Sequence, residues 1–258
     1  YLRDRHHTHP ASRVFSAKLV ERVVCRQLMY YLSCHHVLCP QQYGFRPGLS
    51  TEAALLDTVT YATENIDRGA VTSLVTADTS KAFDSVEHGR LLDKLGWYGI
   101  RPGWFADWLT GRTQAIESCP VNVTHGVIQG SILGPVLYLI YTNDLAQHLS
   151  HVKVAMYADD VQFLDADTPS NILAIKKRVE SDLSVTIQWF TQNRLKINPS
   201  KTEMIILSLA VKKVIPVSRS ISVLMKFPRH RASRSWASSS THTWRGTRMS
   251  RLSFNAAT

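Results

Sequence analysis

Apolar residues recur at helical spacing from Val14 to Leu32, through Leu19, Val20, Val23, Val24, Leu28 and Tyr31, and this predicts a first helix. Pro40 and Gly44 close that segment. Either Ser50 or Thr51 is a good N-cap for a second helix, which runs through Leu55, Leu56, Val59 and Ala62 and stops near Gly69. Val71–Ala77 is a short apolar, β-branched run of strand type. Asp84 and Glu87 have capping-box spacing ahead of a helix that carries Leu91, Leu92 and Leu95 and is stopped by Gly96 and Gly99. Trp104, Phe105, Trp108 and Leu109 cluster on another short helix, ended by Gly111. A strand around Gln114–Ser118, a glycine turn over Gly126–Gly130 and an apolar helix over Ile132–Leu145 come next. Val152–Leu164 reads as two strands joined at a tight turn, Ile172–Phe190 as an amphipathic helix, and Lys196–Leu207 as a hairpin turning at Asn198-Pro199-Ser200. Helices mixed with antiparallel hairpins, rather than strict βαβ alternation, predict an α+β fold.

Composition narrows the setting. The 258 residues suffice for one large domain with a real core. Tyr1–Pro10 is polar and His-rich with no apolar run behind it, so no signal peptide is expected. The longest apolar stretch, Ile132–Tyr141, holds Gly134 and Pro135 and is about half of what a membrane span needs. A soluble intracellular protein without a membrane partner is therefore expected. Cys25, Cys34, Cys39 and Cys119 form no CxxC pair and suit reduced thiols; Cys34-His35-His36 and Cys39 lack a second ligand pair at zinc-site spacing. The net charge of +10 sits wholly in residues 210–258, where ten Lys or Arg stand with no Asp or Glu. Such a tail can grip phosphates, but residues 1–209 are balanced.

The sharpest chemical feature is Tyr157-Ala158-Asp159-Asp160, set between Val154, Ala155, Met156 and Val161, Phe163, Leu164. Two adjacent carboxylates at the tip of an apolar hairpin are electrostatically costly unless a cation binds them. By itself the pair could simply cap a turn. Asp78, directly after the strand-like run ending in Thr76-Ala77, supplies a third carboxylate that can meet the hairpin across a sheet. Three such groups suffice to hold two Mg2+ ions about 3.5–4 Å apart for in-line phosphoryl transfer.

Five segments then make a pattern. Gln41-Gln42-Tyr43-Gly44-Phe45-Arg46-Pro47-Gly48 with Ser50-Thr51, the run from Asp78 to Asp84, Gly126–Pro135 continuing to Asn143-Asp144-Leu145, Tyr157–Asp160, and Asn193–Thr202 follow one another. In order and spacing the chain resembles the reverse transcriptases of non-LTR (LINE-like) retrotransposons over roughly residues 11–209. The five look like that family's fingers motif and motifs A, B, C and D. It departs at Ile128, where the family usually has Pro, and at Ala77, where a larger apolar residue is common; neither change removes a catalytic group.

The resemblance implies a right-hand polymerase palm, an antiparallel sheet packed on helices, with partial fingers and no thumb. It implies Asp78 and Asp159 as the main metal ligands, with Asp160 assisting and two Mg2+ ions (or Mn2+) as cofactors. Phe83 would pack under the sugar and exclude a 2′-hydroxyl. Gln129 and Gly130 would lie against the incoming nucleotide and template, Gly130 by close backbone approach. Arg46 would contact phosphate, and Lys201 would donate a proton to pyrophosphate. Asp84 and Asp144 are better read as helix-terminal caps than as ligands. The partners implied are an RNA template, a DNA primer or nicked target DNA, and deoxynucleoside triphosphates, with nuclear localisation after cytoplasmic transit. The alternative is an inactive retrotransposon remnant that at most binds nucleic acid.

Residues 1–10 do not match the family's lead-in, and the texture changes after Leu209. Residues 210–258 carry ten serines, no acid and no apolar period, which predicts a segment that does not fold on its own. Codons for Ser235–Thr241 can read Leu-Gly-Val-Ile-Ile-Asp in another frame, a run such reverse transcriptases carry soon after motif D. The tail is accordingly expected to be disordered or translated out of frame.

Overall fold

The computed structural model describes residues 10–110, 113–116, 119–198, 201–208 and 250–253. Helices α1 (Pro10–Cys34) and α2 (Thr51–Asp67) precede strand β1 (Val71–Ala77). Helices α3 (His88–Trp97) and α4 (Gly103–Leu109) lead to a small hairpin, β2 (Thr113–Ile116) and β3 (Cys119–Asn122). Helix α5 (Gly134–Thr142), strands β4 (Lys153–Tyr157) and β5 (Asp160–Asp167), helix α6 (Ile172–Gln192), and strands β6 (Glu203–Leu207) and β7 (Ser250–Ser253) complete the order.

The main sheet runs β4-β5-β1-β6-β7, with every neighbour antiparallel. Its alternation divides the side chains between two covered faces. On one face Val75, Phe163 and Met204 join Leu91 and Leu95 of α3, Leu137 and Tyr141 of α5, and Val179 and Phe190 of α6 in the main core. Each side chain of this kind contributes about 1.5–3 kcal/mol on full burial. On the other face Ile205 and Leu207 of β6 pack against Ala62 and Ile66 of α2. The α+β expectation holds.

Several local expectations are corrected. Ser50 does cap α2, its hydroxyl accepting the Ala53 N–H at 3.3 Å. The buried stripe of α2, however, is Ala54, Thr58, Ala62 and Ile66, while Leu55, Leu56 and Val59 are 61, 66 and 47% exposed. Small residues at four-residue spacing let the helix lie close to the sheet, and the Thr58 hydroxyl donates to Gln162 Oε1 at 2.9 Å. Leu19, Val20 and Val23 of α1 are likewise exposed.

No capping box forms at α3. Glu87 occupies its N-cap without a side-chain cap and instead pairs with Arg90 at 2.8 Å, while Asp84 lies in a separate 3-10 turn, Phe83–Ser85. Gly96 sits inside α3, and Gly99, at φ +77°, ends it. Helix α4 closes at Thr110, with Gly111 outside the described residues. Asp144 caps nothing either: its carboxylate accepts Lys94 Nζ at 2.6 Å and Trp189 Nε1 at 3.1 Å. Burial in the core outweighs that carboxylate and pulls the Lys94 pKa down.

The hairpin expected over Lys196–Leu207 is absent among the described residues. Strand β6 pairs with β1, Thr72 opposite Leu207 and Thr76 opposite Glu203, and Ile197 bridges to Thr79 instead. Pro199 and Ser200 lie outside the described residues. So do residues 1–9 and, of the tail, 209–249 and 254–258; Ser250–Ser253 add to the free edge of β6.

Candidate active site

Strand register gathers the predicted carboxylates at one end of the sheet. Ala77 lies opposite Val161, so Asp78, one residue on, comes level with Asp160 on the neighbouring strand. Tyr157 pairs with Asp160, leaving Ala158 and Asp159 as a two-residue loop between β4 and β5. Such a loop takes a primed turn, and Ala158 adopts φ +57° to make it. Thr79 ties the two chain segments together, its hydroxyl donating to the Asp159 carbonyl at 3.0 Å.

Lys201 arrives by a second route. The Asn198 N–H donates to the Asp78 carbonyl at 2.8 Å and the Ser80 N–H to the Lys196 carbonyl at 2.8 Å, so residues 196–198 run alongside 78–80. The Lys201 N–H donates to the Asn198 carbonyl at 3.2 Å, and Lys201 Nζ stands 2.9 Å from Asp78 Oδ2. That hydrogen bond raises the Lys201 pKa, with the charges of Asp78, Asp160 and Asp159 adding to it. Asp160 is pushed above the ordinary carboxylate range, first by burial, then by the charges of Asp159 and Asp78, while Lys201 pulls the other way. Like charges nearby disfavour the ionised form of Asp160. Among the described residues, no three acidic, imidazole or thiol groups stand close enough to form a ready metal cage. Carboxylates are oxygen donors of the kind a divalent cation takes, and here the Lys201 ammonium is held against one of them, Asp78.

Phe83 has its ring stacked on Tyr138, centroids 4.7 Å apart, and Phe45 edge-on at 6.1 Å. Tyr138 is buried deeply enough that its pKa is raised, first by desolvation and then by Asp159. Gln129 Nε2 donates to Asp84 Oδ1 at 3.0 Å, giving Asp84 the role of holding Gln129 rather than a helix end. Gly130, at φ +78°, has open space where a side chain would stand. Arg46 is turned differently from expectation: Nη1 donates to the carbonyls of Cys39 at 2.8 Å and Gln42 at 3.1 Å and braces its own loop. Sequence reasoning missed Gln42, Thr79 and Tyr138. Each acts through a contact across the fold; Gln42 and Thr79 stand inside motifs quoted from the sequence, and Tyr138 lies between the two halves of another.

An antiparallel sheet backed by helices, with acidic residues just past β1 and in the β4–β5 turn grouped at one end, defines a polymerase palm. The chain belongs to the reverse transcriptase (RNA-dependent DNA polymerase) family, which it matches over residues 10–241. That span runs past Leu209, where the recognisable motifs end. The chain is 30% identical over 200 residues to a probable RNA-directed DNA polymerase from transposon BS of Drosophila melanogaster, covering 72% of this chain and 22% of that protein. It is 26% identical over 216 residues to the RNA-directed DNA polymerase from mobile element jockey of Drosophila funebris, covering 76% of this chain and 23% of that one. These relatives identify a reverse transcriptase domain of a LINE-like element, and the chain spans under a quarter of their length. Telomerase from Candida tropicalis, solved with a TWJ fragment of telomeric RNA, shares the fold at a TM-score of 0.53 and 13% identity, over 87% of this chain and 41% of that one. No helix among the described residues is long and apolar enough to cross a membrane.

Proposed function

We propose that this chain performs RNA-directed DNA synthesis, extending the 3′ end of a DNA primer or nicked target on an RNA template with deoxynucleoside triphosphates. The observation that carries the reading is the strand register that sets Asp78 level with Asp160, one residue from Asp159. Asp78 and Asp159, assisted by Asp160, would hold two Mg2+ ions, with Mn2+ able to substitute. Bound there, the pair would lower the pKa of the primer hydroxyl and neutralise the triphosphate. Lys201, paired with Asp78 at 2.9 Å, would be released from that carboxylate if Asp78 took a cation. In the transfer the primer 3′-hydroxyl gives its proton to solvent water, its oxygen attacks the α-phosphorus, and the bond from that phosphorus to the bridging oxygen breaks. Pyrophosphate leaves with the electron pair and takes a proton from Lys201. Phe83, stacked on Tyr138, stands where a ribose 2′-hydroxyl would collide with it. Gln129 and Gly130 border the nucleotide and template, and Arg46, bracing its own loop through the Cys39 and Gln42 carbonyls, offers its remaining guanidinium face to phosphate. Target DNA places the work in the nucleus.

Primer extension on poly(rA)/oligo(dT) tests this, comparing the chain with Asp159→Ala at matched salt. Magnesium-dependent synthesis that the variant loses is expected. Silence from both, with nucleic-acid binding retained, would instead favour an inactive remnant that only binds.

A further inference from the structure

Ala158 is the one residue of the Tyr157–Asp160 segment in the left-handed region, at φ +57°. An L-residue there is strained by roughly 1–2 kcal/mol, and the first position of such a turn favours glycine. Something must hold it.

Gln42, on the loop between α1 and α2, is 2% exposed, and its side-chain amide brackets Ala158 on both sides. Oε1 accepts the Ala158 N–H at 3.1 Å, and Nε2 donates to the Ala158 carbonyl at 3.3 Å. The same Oε1 accepts the Gly44 N–H at 2.8 Å, which orients the amide. Backbone pairing runs beside it: the Tyr43 N–H donates to the Met156 carbonyl and the Met156 N–H to the Gln41 carbonyl, both at 2.8 Å.

The loop is itself anchored. Asn143, just past α5, accepts the Cys39 N–H at 2.7 Å and donates to the Val37 carbonyl at 2.8 Å. Arg46 closes it from the other side through the Cys39 and Gln42 carbonyls. A rigid loop thus presents one buried amide to the one strained residue between the β4 and β5 strands.

We propose that Gln42 is a positioning residue for the acidic turn: its amide holds Ala158 in the left-handed conformation and so sets the directions of Asp159 and Asp160. This rests on the polymerase reading only where it concerns what those two carboxylates bind. The physical reason is steep geometry. A two-residue loop has no slack, so a relaxed φ at Ala158 rotates the next two side chains together. Gln42 touches no reacting atom and acts entirely through this turn.

The test uses the full chain and Gln42→Met, which keeps length and apolar volume but removes both amide partners. Two quantities are read: hydrogen exchange of the 157–160 amides without metal, and Mn2+ affinity by electron paramagnetic resonance. Gln42→Met is expected to speed exchange at Ala158 and to weaken Mn2+ binding about tenfold, on the order of what one left-handed L-residue costs. Adding Ala158→Gly, which tolerates φ above zero without help, is expected to recover most of the Mn2+ affinity while exchange stays fast. Unchanged exchange in Gln42→Met overturns the proposal. So does a loss of Mn2+ affinity that Ala158→Gly leaves uncorrected, and so does a Gln42→Met chain without helical circular dichroism, since the amide would then support the whole domain. If the unsubstituted chain takes up no Mn2+, the polymerase reading fails instead, and exchange at Ala158 still decides the clamp.

Discussion

Gly44 packs against the backbone of Ala158 so closely that a β-carbon on it would lie 2.4 Å from the Ala158 nitrogen. No real β-carbon contact is that short, and the atom it would meet is backbone, which cannot swing aside. Gly44→Ala must therefore push the α1–α2 loop off the acidic turn. Overpacking of this kind costs about 1–3 kcal/mol. A urea titration of Gly44→Ala should show that loss, and a midpoint equal to the unsubstituted chain would mean the loop and turn do not touch in solution.

Phe83 stacks on Tyr138. Shortening it to Val keeps an apolar contact on Tyr138 and opens room above it. Discrimination against ribonucleotides, read as the ratio of kcat/KM for dTTP and UTP, should fall roughly ten- to hundredfold. A ratio that stays put would remove Phe83 from sugar selection.

Asp160 titrates above the ordinary carboxylate range because of burial and the charges of Asp159 and Asp78. A carboxyl whose folded pKa exceeds its unfolded one takes up protons on folding. Its ionisation destabilises the fold above the folded pKa and has no effect below the unfolded value. Asp160→Asn in the metal-free chain should melt higher at pH 7, and the advantage should fade as the pH drops towards about 4, the ordinary carboxylate range. Calorimetry at both values checks the sign; an equal gain at each would exclude charge as the cause.

Lys94 is buried between α3, α5 and α6, bonded to Asp144 and to the Tyr141 carbonyl, with its ammonium 4.7 Å from the Trp189 ring centroid. Lys94→Met strands the Asp144 carboxylate, at a cost of about 3–5 kcal/mol. Adding Asp144→Asn removes the stranded charge and should recover part of that loss in urea titrations. Additive losses would show that the two groups are not coupled.

The family match reaches residue 241 in this frame, yet the acid-free composition of residues 210–258 leads us to propose that a frame change lies within this stretch. Translation of the encoding DNA in all three frames should place a family-like segment, including Leu-Gly-Val-Ile-Ile-Asp, opposite Ser235–Thr241. Its absence from every frame would discard the idea.

Much of the fold and site was legible in the linear order of residues. Strand β1 was readable because β-branched residues crowd Val71–Ala77, and the β4–β5 hairpin because apolar runs flank two acids. The motifs named Asp78, Asp160 and Lys201; the strand register sets Asp78 level with Asp160, and Lys201 pairs with Asp78 at 2.9 Å. The capping box, the hairpin over Lys196–Leu207 and the inward face of α2 were misread. In each case local preference was overridden: Glu87 found Arg90, Ile197 found Thr79, and small residues of α2 allowed closer packing than its leucines.

The sequence by itself determined which groups are available: three carboxylates, one motif lysine, an aromatic five residues past Asp78, and the spacing that makes strands and helices of the stretches between. Only the tertiary structure decided how they are aimed. Register across β1 and β5 levels Asp78 with Asp160, and a glutamine 116 residues away along the chain holds the turn that orients Asp159. Direction depends on hydrogen bonds between residues far apart in the chain, and these exist only once packing has brought their partners within about 3 Å.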